Sequence, residues 1–142
     1  MNTKPNLGWI GVGKMGTPMS THLLKAGYKL TVYDIVPSAI SALTEQGANP
    51  ANSPAEVADQ ADIIISMIPD DPALEAVATG PQGICQSARQ GLIYIDMSTV
   101  SPATSARISS PAEKSGAQYL RAPVSGSTES AVTAALTILV SG

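Results

Sequence analysis

Short apolar runs alternate with amphipathic segments along the chain. The first run, Leu7–Val12, ends in glycines, and the segment that follows, Met15–Ala26, carries apolar side chains at helical spacing. Further apolar runs of strand length lie at Lys29–Tyr33, Ile63–Met67, Leu92–Ile95, Tyr119–Leu120 and Leu136–Val140. Strands separated by helices are typical of a parallel sheet with helical crossovers. The pattern therefore predicts an α/β fold in one domain over residues 1–142, a doubly wound parallel Rossmann-type sheet with helices on both faces.

Prolines and capping residues indicate where several helices begin. Ser53-Pro54-Ala55-Glu56 combines an N-cap serine, a proline suited to the first helical turn and a glutamate placed for a capping box. Asp71-Pro72 and Ser101-Pro102 open two further helices in the same manner. Within the second of these, Pro111 removes a backbone hydrogen bond, and we expect that helix to kink or to restart at Ser110.

Composition and charge exclude several classes of protein. With 44% hydrophobic and 13% charged residues, the chain is not mainly disordered. One cysteine and one histidine argue against a disulfide framework and most metal centres, so no metal is expected. No apolar run reaches the roughly 18–20 residues of a membrane span, and the first ten residues lack a signal-peptide pattern, which predicts no membrane partner and a cytoplasmic setting. The net charge of −3 argues against a nucleic acid partner.

A glycine-rich motif joins the first predicted strand to the first predicted helix. Its sequence is Gly11-Val12-Gly13-Lys14-Met15-Gly16, the G-x-G-x-x-G pattern of dinucleotide-binding βαβ units. Gly11 permits a tight turn, Gly13 allows a diphosphate to approach the backbone, and Gly16 allows the helix to pack against the strand. The free N–H groups at the helix start face the anion. The alternative is a glycine-rich turn that binds nothing.

Asp34 ends the second predicted strand, 23 residues after Gly11. A carboxylate at this place accepts hydrogen bonds from the hydroxyls of the adenosine ribose, and it repels a 2′-phosphate. No lysine or arginine lies between Lys29 and Arg89, so a cation that would accept that phosphate is missing. The sequence therefore predicts NAD rather than NADP as the cofactor, the alternative being a solvated aspartate at a strand end.

Three further motifs follow predicted strands and combine hydroxyls with proline or glycine. They are Ser66-Met67-Ile68-Pro69, Asp96-Met97-Ser98-Thr99 and Ala122-Pro123-Val124-Ser125-Gly126-Ser127. Ligands of doubly wound sheets bind at the carboxyl ends of strands, where the first two motifs are expected. Hydroxyls and a flexible glycine in the third motif suit the carboxylate or hydroxyl of a small substrate. Ordinary strand exits and a polar loop without ligand remain the alternatives.

Taken in this order, the motifs resemble the β-hydroxyacid dehydrogenase family and its 3-hydroxyisobutyrate dehydrogenase-like members. The resemblance runs from about Leu7 to Gly142 and includes Gly8–Gly16, Pro18-Met19 and Ser101-Pro102 beside the strand-end motifs. It implies the NAD-binding domain of an oxidoreductase that transfers hydride between NAD and a small 3-hydroxy acid or its semialdehyde. Two alternatives stay open: a non-catalytic nucleotide-binding module, and the NAD(P)H domain of a related imine reductase.

The resemblance also implies roles for individual residues. The expected cofactor-binding residues are Gly11, Gly13, Lys14, Met15, Gly16, Asp34, Ile68, Pro69 and Thr99, and the expected substrate-binding residues are Ser125, Gly126 and Ser127. The resemblance implies that the catalytic lysine of the family lies beyond Gly142, on a long helix that an all-helical domain follows, and we expect both to be absent from these 142 residues. We therefore expect no catalytic residue within the 142 residues, no turnover by this chain alone, and a whole protein that is a homodimer or homotetramer.

Two departures from the family pattern and two further side chains receive separate interpretations. Arg121 stands where the family usually has aspartate, and Ser127 stands where a second glycine is common, which affects substrate choice. His22 has no acid or serine partner at a telling spacing, and Cys85 has no C-x-x-C partner. We interpret His22 as structural or surface-exposed and Cys85 as an ordinary thiol.

Overall fold

The computed structural model describes residues 4–141. Its strands are β1 (Leu7–Ile10), β2 (Leu30–Tyr33), β3 (Asn49–Pro50), β4 (Ile63–Ser66), β5 (Ile93–Asp96), β6 (Gln118–Arg121), β7 (Val124–Ser125) and β8 (Thr137–Ile138). Its α-helices are α1 (Gly16–Lys25), α2 (Ser41–Glu45), α3 (Pro54–Gln60), α4 (Asp71–Thr79), α5 (Ile84–Ser87), α6 (Pro102–Lys114) and α7 (Thr128–Val132). A 3₁₀ turn at Pro37–Ile40 precedes α2.

Six strands form one parallel sheet in the order β3-β2-β1-β4-β5-β6. β1 is central, and its Leu7 is opposite Leu30 of β2 and Ile63 of β4. From β1 the chain first builds the sheet in one direction and then crosses to build it in the other. The predicted doubly wound fold is confirmed, and the crevice that such sheets use for ligands lies where this direction reverses, between β1 and β4.

Helices cover both faces of the sheet, and each face has its own apolar core. Alternation along β1 separates the cores, since Trp9 belongs to one and Ile10 to the other, each 1% exposed. The Trp9 core includes Leu43 of α2 and borders α1, whereas the Ile10 core includes side chains of α3, α4, α5 and α6. Buried β-branched residues in the strands and helices on both faces explain the near-continuous apolar runs in the sequence.

Side-chain caps begin the helices that the sequence signals predict. Ser53 Oγ accepts a hydrogen bond from the Glu56 N–H at 3.1 Å, and Ser101 Oγ accepts one from the Thr104 N–H at 3.2 Å. The Glu56 carboxylate reaches the Asn52 N–H at 2.7 Å, one residue before the expected capping-box partner. The helix at Asp71-Pro72 is also confirmed, and its cap is Asp70, whose Oδ1 accepts from the Ala73 N–H at 2.9 Å.

Two expectations about the C-terminal half are corrected. Pro111 lies inside a continuous helix, Pro102–Lys114, so the predicted restart at Ser110 is wrong. Pro111 is exposed, and the carbonyl that loses its partner there is on a side of the helix that water reaches. The run Leu136–Val140 contributes only β8, which pairs antiparallel with β7 and does not extend the main sheet. β7 and β8 are joined by residues 126–136, which include α7, and they form a separate two-stranded sheet.

Strands β3 and β7 and helices α5 and α7 were not predicted, and one predicted helix is interrupted. β3 has only two residues, Asn49–Pro50, whose polar and proline character gives no strand signal. The segment predicted as helical over Pro37–Gln46 divides into the 3₁₀ turn and α2. No helix within residues 4–141 has the length and apolarity needed to cross a bilayer.

Candidate functional site

A cleft of about 870 Å³ opens at the carboxyl ends of β1, β2 and β4, at the point where the strand order reverses. Its size is that of a small-molecule or cofactor site. All nine residues expected to bind a cofactor are part of its lining: Gly11, Gly13, Lys14, Met15, Gly16, Asp34, Ile68, Pro69 and Thr99. Residues that are 88 positions apart in sequence, from Gly11 to Thr99, are thus brought to one surface.

The three glycines of the motif occupy their positions for different structural reasons. Gly11 has φ +96°, and a Cβ on it would lie 2.2 Å from the Met67 carbonyl oxygen. A Cβ on Gly16 would lie 2.0 Å from the Gly11 carbonyl oxygen, so these two glycines are required by close packing of the loop itself. Gly13 is exposed, and a Cβ there would meet nothing within 4 Å. The space above Gly13 therefore opens to the cleft, as a backbone that receives a diphosphate requires.

The start of α1 faces the same cleft without a side-chain cap. Met15 occupies the N-cap position and makes no side-chain capping bond, whereas Ser53, Asp70, Ser101 and Ser127 cap their helices. The first N–H groups of a helix lack intrahelical partners and carry a partial positive charge. An anion bound beside Gly13 therefore finds backbone donors that no side chain competes for.

Asp34 is half-buried, and both of its carboxylate oxygens accept backbone hydrogen bonds. Oδ2 accepts from the Val12 N–H at 2.8 Å, and Oδ1 accepts from the Val36 N–H at 2.9 Å. Its carboxylate is thus held in one orientation against the glycine loop, unlike a freely solvated aspartate at a strand end. Each oxygen keeps a lone pair for a further donor such as a ribose hydroxyl.

Charge in the cleft is sparse. Asp34 and Lys14 are the charged residues among those described that line it, and most of the remaining wall is apolar. Lys14 is exposed beside Gly13, so its ammonium group is the lining cation near the glycine loop. The Asp34 carboxylate suits the neutral hydroxyls of a ligand, and the Lys14 ammonium group in the glycine loop suits its diphosphate.

Apolar residues that sequence reasoning missed complete the wall. They are Ile10, Tyr33, Ile35, Pro54, Met67, Ala73, Ala76, Val77 and Pro81, together with the polar Gln82. Ile35 is 84% exposed, an unusual state for a large apolar side chain, and it follows Asp34 directly. Ala73 and Val77 are four residues apart on α4, the spacing of one helical face, which is the signal that could have identified them.

A buried polar cluster lies beneath the cleft wall at the ends of β4 and β5. Ser66 Oγ donates to Asp96 Oδ1 at 2.8 Å and shares a hydrogen bond with the Tyr94 hydroxyl at 2.9 Å. Asp96 Oδ1 also accepts from the Ser98 N–H at 3.1 Å. Burial raises the pKa of Asp96, against the lowering effect of hydrogen bonds from Ser98 and Ser66. Burial and the neighbouring Asp96 charge raise the pKa of the Tyr94 hydroxyl well above its ordinary value.

The predicted substrate residues Ser125, Gly126 and Ser127 lie outside the cleft lining. All three are exposed, Ser127 Oγ caps α7 by accepting from the Ser130 N–H at 3.2 Å, and Gly126 has φ +143°. A Cβ on Gly126 would lie 2.7 Å from Leu136 Cδ2, so local packing also requires a glycine there. Their contact with a substrate stays a prediction.

The remaining candidate side chains have structural surroundings. His22 Nε2 is 2.8 Å from the Ala131 carbonyl oxygen and so joins α1 to α7. Cys85 is half-buried, and desolvation raises the pKa of its thiol, which disfavours the reactive thiolate. In the part of the chain that the structure describes, no three His, Cys, Asp or Glu side chains are grouped so that they could hold a metal ion.

Comparison with known proteins agrees with this geometry. A family model described as the NAD binding domain of 6-phosphogluconate dehydrogenase matches residues 6–142. Mitochondrial 3-hydroxyisobutyrate dehydrogenase from Mus musculus is 41% identical over 142 residues, which are 100% of this chain and 42% of that protein. NAD-dependent L-serine dehydrogenase from Pseudomonas aeruginosa is 38% identical over 96% of this chain and 46% of that protein.

A solved structure extends the likeness to the fold. Mycobacterium tuberculosis 3-hydroxyisobutyrate dehydrogenase, with L-serine, aligns with a TM-score of 0.91 and 31% identity over 99% of this chain and 47% of that chain. The chain thus spans less than half the length of each of these relatives. The resemblance drawn from the motifs is confirmed: the chain belongs to the family of NAD-binding domains found in 6-phosphogluconate dehydrogenase and the 3-hydroxyisobutyrate dehydrogenases.

Proposed function

We propose that this chain binds NAD in the cleft between β1 and β4, as the cofactor domain of a dehydrogenase of small 3-hydroxy acids. The observation that carries the proposal is that one cleft gathers the open Gly13 backbone, the uncapped start of α1 and the held carboxylate of Asp34. These are the groups that a diphosphate and a ribose diol require. The residues present therefore fit the cofactor that the family description names.

The order of the strands supports one direction for the proposed dinucleotide. Asp34 follows β2 on one side of β1, so the adenosine ribose lies there. Thr99 follows β5 on the other side, so the nicotinamide half extends toward Thr99 past Ile68 and Pro69. The exposed Ile35 and the α4 residues Ala73 and Val77 offer apolar contact to the adenine ring.

The carboxylate of Asp34 favours NAD over NADP. Two backbone N–H groups hold it, so it does not turn away from a 2′-phosphate. A like-charge pair at ~4 Å with an effective dielectric near 20 costs on the order of 4 kcal/mol before salt screening. The lining cation, Lys14, belongs to the glycine loop proposed for the diphosphate, whereas Asp34 follows β2 on the side proposed for the ribose.

We propose that the whole protein oxidises a primary alcohol whose CH₂OH carbon is bonded to the carbon that bears a carboxylate. The relatives are named for 3-hydroxyisobutyrate and L-serine, which share the group HOCH₂–CH–COO⁻. NAD, when bound, supplies the hydride chemistry, and this domain holds and orients it. A lysine beyond Gly142 is proposed as the general acid/base, with Ser125, Gly126 and Ser127 contacting the substrate. A cytoplasmic homodimer or homotetramer remains our expectation.

Calorimetric titration of the 142-residue chain with NADH and with NADPH tests the cofactor assignment. We expect NADH to bind, and to bind at least about tenfold more tightly than NADPH, which corresponds to roughly 1.4 kcal/mol. Tighter binding of NADPH would overturn the selectivity, and failure of both nucleotides to bind would overturn the proposed function. For the whole protein, NAD reduction is assayed with 3-hydroxyisobutyrate and L-serine, and no turnover of either would refute the substrate class.

A further inference from the structure

Ile68 lies two residues after the end of β4, and its N–H does not join the backbone ladder of the sheet. The amides directly after β4 and β5 do join it: the Met67 N–H donates to the Ile10 carbonyl at 2.9 Å, and the Met97 N–H donates to the Ser66 carbonyl at 2.9 Å. The Ile68 N–H donates instead to a side chain, Ser98 Oγ, at 2.7 Å. The Ser98 hydroxyl therefore joins the turn that lines the cleft after β4 to the segment after β5.

Ser98 is in turn held from below. Its N–H donates to Asp96 Oδ1, which also accepts from Ser66 Oγ, and Ser66 is bonded to the Tyr94 hydroxyl. Ser66, Tyr94, Asp96 and Ser98 are each at most 2% exposed, and none of them lines the cleft. The residues attached to this cluster, Ile68, Pro69 and Thr99, do line the cleft. Because its members are buried and hydrogen-bonded to one another, such a cluster fixes the positions of the backbone segments attached to it.

We propose that Ser98, held by Asp96, is a positioning residue that sets the Ile68–Pro69 turn and Thr99 for the nicotinamide half of the dinucleotide. The inference rests on the proposed function, because it concerns the same cleft. Ser98 and Asp96 do not line the cleft, but they would set the positions of three residues that do. These three are Ile68, Pro69 and Thr99. Ser98 acts through the Ile68 N–H and through its own chain neighbour, Thr99.

The effect is confined to one side of the cleft. The adenosine side is held by a separate device, the hydrogen bond from the Val12 N–H to Asp34. Loss of Ser98 Oγ leaves the buried Ile68 N–H without a partner, and a buried donor that loses its acceptor drives a local backbone shift. We expect that shift to be larger at the Ile68–Pro69 turn than at the loop, whose Val12 N–H keeps its bond to Asp34, so the two halves of the ligand should respond differently.

Titration with NADH and with ADP separates the two halves, because ADP lacks the nicotinamide riboside. For Ser98→Ala in the 142-residue chain, we expect the Kd for NADH to rise about tenfold and the Kd for ADP to change less than about twofold. The matched control is Ser105→Ala, a buried serine of α6 whose Oγ has no hydrogen-bond partner among the described residues. The control should leave both constants within about twofold of the wild type.

Three results would each refute the positioning role, and only the first would also refute the proposed function. If the wild-type chain binds neither NADH nor ADP, the proposed function fails and this inference fails with it. If the wild-type chain binds both, and Ser98→Ala weakens both equally or neither, the positioning role alone is refuted. A loss of thermal stability with unchanged affinities would assign Ser98 a structural role only, and would also refute the inference.

A second measurement needs no substitution and stands if Ser98→Ala does not fold. In ¹H–¹⁵N spectra of the wild-type chain, NADH should shift the amide signals of both Ile68 and Thr99. ADP should shift the amides of the Gly13 loop and leave Ile68 and Thr99 unchanged. Equal shifts of Ile68 and Thr99 with both ligands, or no shift with NADH, would contradict the inference.

Discussion

Asp34 Oδ2 accepts a hydrogen bond from the backbone N–H of Val12 at 2.8 Å, across 22 positions of sequence. The carboxylate that we expect to meet the ribose therefore also holds the loop that we expect to meet the diphosphate. The second oxygen is bound to the Val36 N–H, so the end of β2 and the glycine loop share one anchor. Selectivity and loop geometry are coupled in a single side chain, and substitution of Asp34 tests both.

Asp34→Asn should reduce the preference for NADH over NADPH. The amide retains one oxygen acceptor for a loop N–H but carries no charge to repel a 2′-phosphate. We expect the ratio of the two Kd values to fall by about tenfold or more, with NADH itself weakened. The same titrations on Asp59→Asn, an exposed acid of α3 outside the cleft, provide the control. An unchanged ratio in Asp34→Asn would show that another residue sets selectivity.

Gly13→Val should separate binding from folding. Because a Cβ on Gly13 meets nothing within 4 Å, the melting temperature of the variant should lie within about 2 °C of the wild-type value. Its side chain occupies the space of the diphosphate, so NADH affinity should fall by at least about tenfold. Gly16→Ala is the contrasting variant, since its Cβ meets the Gly11 carbonyl oxygen and should lower the melting temperature. Undiminished NADH binding by Gly13→Val would place the diphosphate elsewhere.

Lys14→Ala should weaken NADH binding in a salt-dependent way. The ammonium group of this exposed side chain is the lining cation nearest the loop, and an exposed ion pair contributes about 1 kcal/mol or less. We expect a loss of about threefold to fivefold in low salt that shrinks as ionic strength rises. Lys25→Ala, at the exposed end of α1, is the matched control. A loss that is independent of salt would indicate packing and not charge.

Because of Asp96, the free energy of unfolding should fall as the pH rises. Its pKa is raised by burial above the ordinary value of 3.8, so the native state holds this proton more tightly than the unfolded state. Its stabilising contribution is complete below the unfolded pKa and is lost as the pH rises through the native pKa. The free energy of unfolding of the wild type, relative to Asp96→Asn, should therefore decline from pH 4 upward. A difference that rises with pH would contradict the raised pKa.

Asp71 supplies a comparison of opposite sign. Hydrogen bonds from Ser101 lower the pKa of this carboxyl, which is the acceptor for the Ser101 N–H at 3.0 Å. Its contribution is present above the unfolded pKa and is lost as the pH falls through the native pKa. Denaturant titrations of Asp71→Asn over the same range should show a stability difference from wild type that grows with pH, the reverse of Asp96.

The main architecture could be predicted because its signals are local. Buried runs such as Ile63–Ser66, capping serines such as Ser53 and the spacing of three glycines each act within a few residues. The cofactor side of the cleft followed from these elements, because parallel strands bring their carboxyl ends to one edge. Asp34 and Thr99 are examples: each lies at a strand end, and both line the cleft.

What escaped prediction depends on tertiary contacts. The apolar wall residues Pro54 and Pro81 lie outside the strand-end motifs, and no local pattern places them in the lining of the cleft. The two-residue β3 exists because Asn49 and Pro50 are opposite Thr31 and Val32, a relation set by the sheet. The bond between Ser98 and the Ile68 N–H joins residues 30 positions apart, and neither residue signals it.

A crystal structure of the 142-residue chain grown with NAD would show whether the glycine loop and Asp34 hold the dinucleotide. We predict diphosphate oxygens within hydrogen-bond distance of backbone N–H groups of Gly13–Gly16, and ribose hydroxyls on the Asp34 carboxylate. Density for the dinucleotide at any other surface, or a diphosphate without backbone donors from this loop, would contradict this prediction.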